Sequence, residues 1–239
     1  MFQLLSKLYF LQNLLSLFVS LISPVLVHNL GKYFALKKAF YLTALEDLQG
    51  DYLEFGVFTG SSFVCALNCS KRSGMKNAHK QMRFFGFDSF EGFGELPEFD
   101  QHPFYKDLNF ETSYQSVNKR LLKAAGSRRS KIVLTKGFFN ETLSQGPQKY
   151  GIDKASIILI DNDTYSAALD CLVFCTDIVQ EGTILIADDS FSYKGSSSKG
   201  VNGAIATWLQ RNPHISLRKL GDYGMGGEMF IVSEILTYE

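Results

Sequence analysis

The chain lacks several things that mark common protein classes. It has only four cysteines, Cys65, Cys69, Cys171 and Cys175, and none falls in a CxxC pair. That excludes a secreted disulfide framework. Each pair is spaced i,i+4, which puts both thiols on one face of a helix. They read as small apolar groups on two buried helix faces; a zinc site would require the pairs to converge. The chain also lacks charge of either sign in excess, with Lys+Arg 24 against Asp+Glu 24. No basic surplus is available to neutralise phosphates, so no nucleic-acid partner is expected. No GxGxxG fingerprint occurs, which argues against a nicotinamide-dependent enzyme of Rossmann type. Low-complexity sequence is confined to Lys194–Gly200 (KGSSSKG), and there is no internal repeat. With 46% hydrophobic and 20% charged residues in 239, the chain can build a large core, and wholesale disorder is excluded.

A further absence is local. Residues 8–31 (LYFLQNLLSLFVSLISPVLVHNLG) contain no Asp, Glu, Lys or Arg. The run is long enough to cross the roughly 30 Å of a bilayer core as a helix. Gln12, Asn13, Ser16, Ser20 and Ser23 dilute it, and Pro24 interrupts it. Leu4, Leu5, Leu8, Leu11, Leu15, Phe18, Val19 and Ile22 recur at helical spacing. Three readings stay open: a peripheral or membrane-anchored helix, a helix packed on the domain or on a second copy of the chain, and a cleaved signal peptide. Only Lys7 precedes the run and no small-x-small site follows, which weakens the third. If the run spans, Lys32, Lys37 and Lys38 favour a cytoplasmic domain. The expected division is a hydrophobic N-terminal helix over 1–32 and one domain over 33–239, cytoplasmic and associated with a membrane through residues 1–30.

From there strands and helices alternate. Residues 34–48 read as a helix ending near Gly50. Strands are expected at Tyr52–Val57, Arg83–Asp88, Lys131–Thr135, Ser156–Ile160 and Thr183–Ala187. Helices are expected at Ser61–Ser70, 112–125, 164–180 and Gly200–Arg211. Ile215–Leu220 and Glu228–Val232 close the chain as strands. The runs SIILI and TILIA are nearly pure aliphatic, as strands buried on both faces are. This order predicts a doubly wound, mostly parallel sheet with an antiparallel edge. Residues 90–110, rich in Gly, Pro and Phe, form a loop long enough to be a lid.

In such sheets ligands bind beyond the carboxyl ends of the strands. After the first strand, Gly56 and Gly60 permit a tight turn, and Ser61 or Ser62 can cap the next helix. Asp88 ends the second strand, where a carboxylate can accept the hydroxyls of a ribose; a plain turn Asp is the alternative. Asp161, Asn162 and Asp163 follow one buried strand, and Asp188 and Asp189 follow the next. Carboxylates gathered at one rim repel each other, and a hard divalent cation such as Mg²⁺ is the simplest counter-charge. Helix capping by Asp163 is the plainer alternative.

Together, EFGVFTGSS (54–62), FGFDSFEGFGELP (85–97), KGFFNETL (136–143), IDNDTYSAALDCL (160–172), EGTILIADDS (181–190) and GDYGMGGEMFIVS (221–233) resemble the macrocin O-methyltransferase (TylF-type) family. The likeness runs from about residue 45 to 233. It implies a class I, Rossmann-like fold of seven strands and a sugar O-methyltransferase dependent on S-adenosylmethionine and Mg²⁺. It also implies a cofactor pocket formed by Glu54, Gly56, Val57, Gly60, Ser61, Asp88, Ser89, Gly137, Phe138 and Asp161. Residues 137–142 would lie near the adenine and 91–110 would form part of the lid. Asp161, Asp188 and Asp189 would hold the metal, and Asp161 would be the general base. The acceptor would be a small-molecule sugar or glycoside with adjacent hydroxyls, and a homo-oligomer is an open expectation. Departures are Glu181-Gly182 in place of a glycine pair and Ser190 in place of an aromatic residue. His102 and His214 are the histidines in reach of the substrate region, and neither has an assigned role. Two rival readings remain: a catechol-type O-methyltransferase acting on an aromatic diol, and a non-catalytic binding module on the same fold.

Overall fold

The computed structural model describes residues 8–72, 79–105 and 110–236. Leu4, Leu5 and Lys7, like residues 106–109 of the expected lid, lie outside that range.

Seven strands form one sheet in the order β3-β2-β1-β4-β5-β7-β6. They are β1 (Asp51–Phe55), β2 (Phe84–Asp88), β3 (Ile132–Lys136), β4 (Ala155–Ile160), β5 (Ile184–Ala187), β6 (Ile215–Tyr223) and β7 (Gly227–Ile235). The first five pair in parallel, and β7 runs antiparallel to both β5 and β6. This is the expected doubly wound sheet with an antiparallel edge. All residues of β1, β4 and β5 are buried, because helices cover both faces.

The helices are α1 (Tyr9–Leu21), α2 (Pro24–Leu45), α3 (Ser61–Lys71), α4 (Tyr114–Ala125), the single turn α5 (Phe139–Thr142), α6 (Tyr165–Cys175) and α7 (Gly200–Arg211). Two hydrophobic cores result. On one face, Leu36 and Phe40 of α2, Phe63 and Leu67 of α3, and Leu121 of α4 pack on Tyr52, Phe84, Ile157 and Ile184. On the other, Leu172 and Phe174 of α6 and Trp208 of α7 pack on Phe55, Phe87, Ile158 and Leu185. The cysteine pairs lie on these opposite faces and do not converge. Cys171 and Cys175 are buried, whereas Cys65 and Cys69 are half-buried.

Two helix boundaries differ most from expectation. α6 stops at Cys175 rather than 180; beyond it the Ile178 carbonyl accepts from Ala155 N–H, and Gln180 N–H donates to Thr183 Oγ1 in the turn leading into β5. At the N-terminus, Pro24 stands in the first turn of a new helix, where its fixed φ suits and its missing N–H costs nothing. The chain bends by 84° between α1 and α2. α2 then runs unbroken to Leu45, across the expected 32/33 division, and packs Leu36 and Phe40 on the sheet. No described helix alone is long and apolar enough to cross a membrane; α1 and α2 reach that criterion only as the bent pair.

Gly31 lets α2 settle on the turn between β6 and β7. A Cβ there would stand 2.4 Å from Gly224 N. Gly31→Ala should therefore lower stability by about 1–2 kcal/mol, overpacking outweighing the roughly 1 kcal/mol gained in helix propensity. Urea denaturation measures this, and a stabilised variant would mean that α2 does not seat on this turn.

Candidate functional site

The parallel sheet splits its connections between β1 and β4, and a cavity of about 1170 Å³ opens beyond their carboxyl ends. This is where an open α/β sheet offers a crevice. The volume exceeds the roughly 1,000 Å³ upper range for one drug-sized ligand, leaving room for a cofactor and an acceptor together.

The β1 turn makes the cavity floor. Gly56 has φ +94°, and a Cβ on it would lie 1.7 Å from the Asp161 carbonyl oxygen. Only glycine lets β1 and β4 end this close together. Val57, Phe58, Thr59, Ser61 and Ser62 line the cavity; Phe58 sits at φ +47°, a conformation costly for a bulky side chain. Asp88 lines it too. Its Oδ2 accepts from Val57 N–H and Phe58 N–H at 2.7 Å each, and its Oδ1 from Phe90 N–H at 2.6 Å. Asp88 thus ties the β1 turn to the β2 turn, and its oxygens enter the cavity already partly satisfied. Ser89 and Phe138 line the cavity, together with Phe139, Asn140 and Glu141.

Three expected residues lie behind the wall. Glu54 is wholly buried, where its carboxylate accepts from Tyr52 OH at 2.5 Å and Ser62 Oγ at 2.6 Å. Burial pushes its pKa up to about 7, against the pull of those two hydrogen bonds. Gly60 faces Leu121 and Val117 of α4, and Gly137 faces Thr142. Gly60 and Gly137 shape turns, and Glu54 ties β1 to α3, behind the cavity surface.

At the β4 and β5 ends the carboxylates converge as their strand positions predict. Asp161, Asp163, Asp188 and Asp189 all border the cavity. Asp163 and Asp189 take left-handed backbone angles, which aspartate tolerates. The counter-charge comes from α2. Lys32 Nζ lies 2.7 Å from Asp161 Oδ2 and 2.7 Å from Asp188 Oδ2. One helical turn earlier, His28 Nε2 lies 2.9 Å from both oxygens of Asp188, and Tyr223 OH donates to Asp188 Oδ1 at 2.5 Å. His28 Nδ1 accepts from Met225 N–H at 3.1 Å. That bond places the ring hydrogen on Nε2, so Nε2 donates to Asp188.

The electrostatics follow. Burial opposes the charge of both Lys32 and Asp188. Asp161 and Asp188 nevertheless hold Lys32 well above its usual range, and Lys32 with His28 holds Asp188 well below the carboxylate range. Burial pushes Asp161 and Asp163 well above their ordinary values, Asp163 with the help of Asp189. Asp189 rises as well, through burial and then Asp188.

These contacts bear on the expected Mg²⁺ site. His28, Asp188 and Asp189 are a group whose ligand atoms lie within 4.8 Å of one another. Yet His28 Nε2 carries a hydrogen, both oxygens of Asp188 are taken, and Lys32 stands between Asp161 and Asp188. As arranged, Asp161, Asp188 and Asp189 do not fit a divalent cation.

Sequence reasoning missed His28, Lys32, Tyr223 and Asp100. Asp100 is fully buried in the 90–110 segment, and its carboxylate accepts from Tyr165 N–H at 2.9 Å and Ser166 N–H at 3.2 Å. It caps α6 from a distance, beside the local cap, Thr164 Oγ1. Asp163 does not cap that helix. Tyr193 OH donates to the Asp100 carbonyl at 2.6 Å, so the segment that walls the cavity is pinned at its middle. Asp100→Ala should cost about 1–2 kcal/mol through loss of the cap. It should also speed proteolytic cleavage within 90–105. Unchanged stability and cleavage would sever the segment from α6.

Residues 32–204 match the family described as Macrocin-O-methyltransferase (TylF). The mycinamicin III 3''-O-methyltransferase of Micromonospora griseorubida is 24% identical over 156 residues, 62% of this chain and 58% of that enzyme. The match thus spans little more than half of that relative. Among solved structures, the O-methyltransferase NovP aligns with TM-score 0.69 at 17% identity, over 85% of this chain and 80% of that one. CalS11, a calicheamicin methyltransferase also described as a TDP-rhamnose 3'-O-methyltransferase, aligns with TM-score 0.66 at 18% identity, over 85% and 79%. At these identities the structures speak for the fold, which is the one seen here. With nearly three quarters of its length matched, the chain belongs to the macrocin O-methyltransferase (TylF) family.

Proposed function

We propose that the protein is an S-adenosylmethionine-dependent O-methyltransferase acting on a hydroxyl of a glycoside. The observation that carries this reading is the cavity at the β1/β4 crevice, floored by the Gly56 turn and bordered by Asp161. The glycine floor, the acidic residue at the end of β2 and the aromatic residues Phe138 and Phe139 fit a nucleoside cofactor.

When bound, S-adenosylmethionine supplies an electrophilic methyl group on a sulfonium. That methyl group would pass to the acceptor oxygen, with the S–CH₃ electron pair left on sulfur. Asp161, a fifth exposed to the cavity, takes the hydroxyl proton. Its buried setting moves its pKa toward the value a general base needs. Phe93, Leu96 and Pro97 of the 90–105 segment exclude water and orient the acceptor.

The lining also bears on the acceptor. Among the described residues, nine carboxylates border the cavity, against Lys32 and His28, both engaged with aspartates. Such a surface repels a diphosphate. The acceptor is therefore a neutral or amine-bearing glycoside with an apolar body, closer to the mycinamicin III named for the Micromonospora relative than to the TDP-rhamnose named for CalS11.

α1 supports a second element of this reading. It carries no buried residue, and Phe10, Leu15 and Phe18 are among its exposed apolar side chains. We read it as a helix that inserts shallowly into a bilayer surface. The full chain should float with neutral phosphatidylcholine vesicles and lose that property on deletion of 1–21. Flotation of the shortened chain would refute this element.

S-Adenosylhomocysteine at about 100 times its dissociation constant should stabilise the protein by roughly 2.7 kcal/mol. Thermal unfolding would show a shift of several degrees, and no shift would refute the cofactor. Asp161→Asn should keep the shift while turnover on neutral glycosides falls at least a hundredfold. Faster turnover on a nucleoside diphosphate sugar would overturn the acceptor class.

A further inference from the structure

We propose that Lys32 takes the place of the divalent cation at this site, so that its ammonium, held by α2 between Asp161 and Asp188, orients Asp161 without bound metal. The proposal rests on the methyl-transfer reading above and makes Lys32 a positioning residue. Three features carry it.

First, the ammonium sits within 2.7 Å of one oxygen of each carboxylate. Two of its three N–H donors are thereby engaged. A divalent cation bridging the same two oxygens would have to share that space with a positive charge.

Second, Lys32 is not a surface lysine that swings freely. It is 7% exposed, and α2 is pinned within the turn that precedes it. Gly31 abuts Gly224, and His28 bonds to both Met225 N–H and Asp188.

Third, Asp188 has no spare oxygen. Its Oδ1 accepts from His28 and Tyr223, and its Oδ2 faces Lys32 and His28. Ligation by Asp188 would mean breaking contacts from α2 at either oxygen, and at Oδ1 the contact from β6 as well.

Chemically, an ammonium does part of a metal's work. It keeps Asp161 in one orientation at the cavity wall and offsets negative charge as the acceptor oxygen loses its proton. It does not draw two acceptor hydroxyls into one coordination shell, so this arrangement places no demand for a vicinal diol on the acceptor.

The test is Mn²⁺ uptake by the full chain, read as loss of the free-ion signal in electron paramagnetic resonance. It needs neither acceptor nor turnover. Wild type should take up no Mn²⁺ at concentrations that saturate Lys32→Ala, whose affinity should be at least tenfold higher. Lys32→Arg, which keeps the charge, should behave as wild type. Wild type binding Mn²⁺ as tightly as Lys32→Ala would overturn the proposal, as would Lys32→Arg binding like the alanine variant. If the neutral variants fail to fold, the wild-type titration decides alone: uptake overturns the proposal and its absence supports it. The same samples are melted with S-adenosylhomocysteine. A wild type without a shift refutes the methyltransferase reading whatever the Mn²⁺ result, which keeps the two failures apart.

Discussion

Mutual repulsion among four aspartates at one end of the sheet is the constraint on which the rest of the structure depends. Asp161, Asp163, Asp188 and Asp189 stand where β4 and β5 deliver them, and those strands are fixed by burial on both faces. Buried carboxylates without a partner are costly. Here the compensation comes from the first helix that packs on the sheet. α2 brings Lys32 and His28 to the rim, and Tyr223 adds a donor from β6. The close packing of Gly31 on Gly224 and the bond from Met225 N–H to His28 read as the means by which that compensation is held in place. The ion pairs organise the site, though their desolvation limits what they add to stability.

Much of this was legible in the residues. The aliphatic runs SIILI and TILIA placed β4 and β5, and the aspartates after them had to share a rim. The glycines of the β1 turn announced a close approach, and at Gly56 the approach is to the Asp161 carbonyl. The family likeness of the DSFEGFGELP and DxD…DD segments agrees with the stretch 32–204 that the family matches.

What the sequence hid was long-range. Nothing in the spacing of His28 and Lys32 points to Asp188, more than 150 residues away. Their i,i+4 separation did put both on one helix face at the end of an otherwise charge-free run, and that was the available signal. Lys32 instead read as a topology mark beside a membrane segment, because the apolar run drew attention to lipid rather than to the sheet. Glu54 read as a cavity residue because strand alternation does not reveal that Tyr52 and Ser62 turn its carboxylate inward. Asp100 was invisible because a helix cap supplied from another segment leaves no local pattern.

The bond between His28 and Met225 joins residues 197 positions apart. Nearly the whole chain must therefore leave the ribosome before the seat that holds α2 at the rim is complete. The parallel strands β1 to β5 can pair earlier, since their partners are all in place by Ala187. A nascent chain halted before the β6–β7 turn would hold a largely formed sheet with an acidic mouth and an α2 lacking its seat. Competence at the rim is thus a property of the finished polypeptide, acquired in the last steps of its synthesis rather than accumulated along the way.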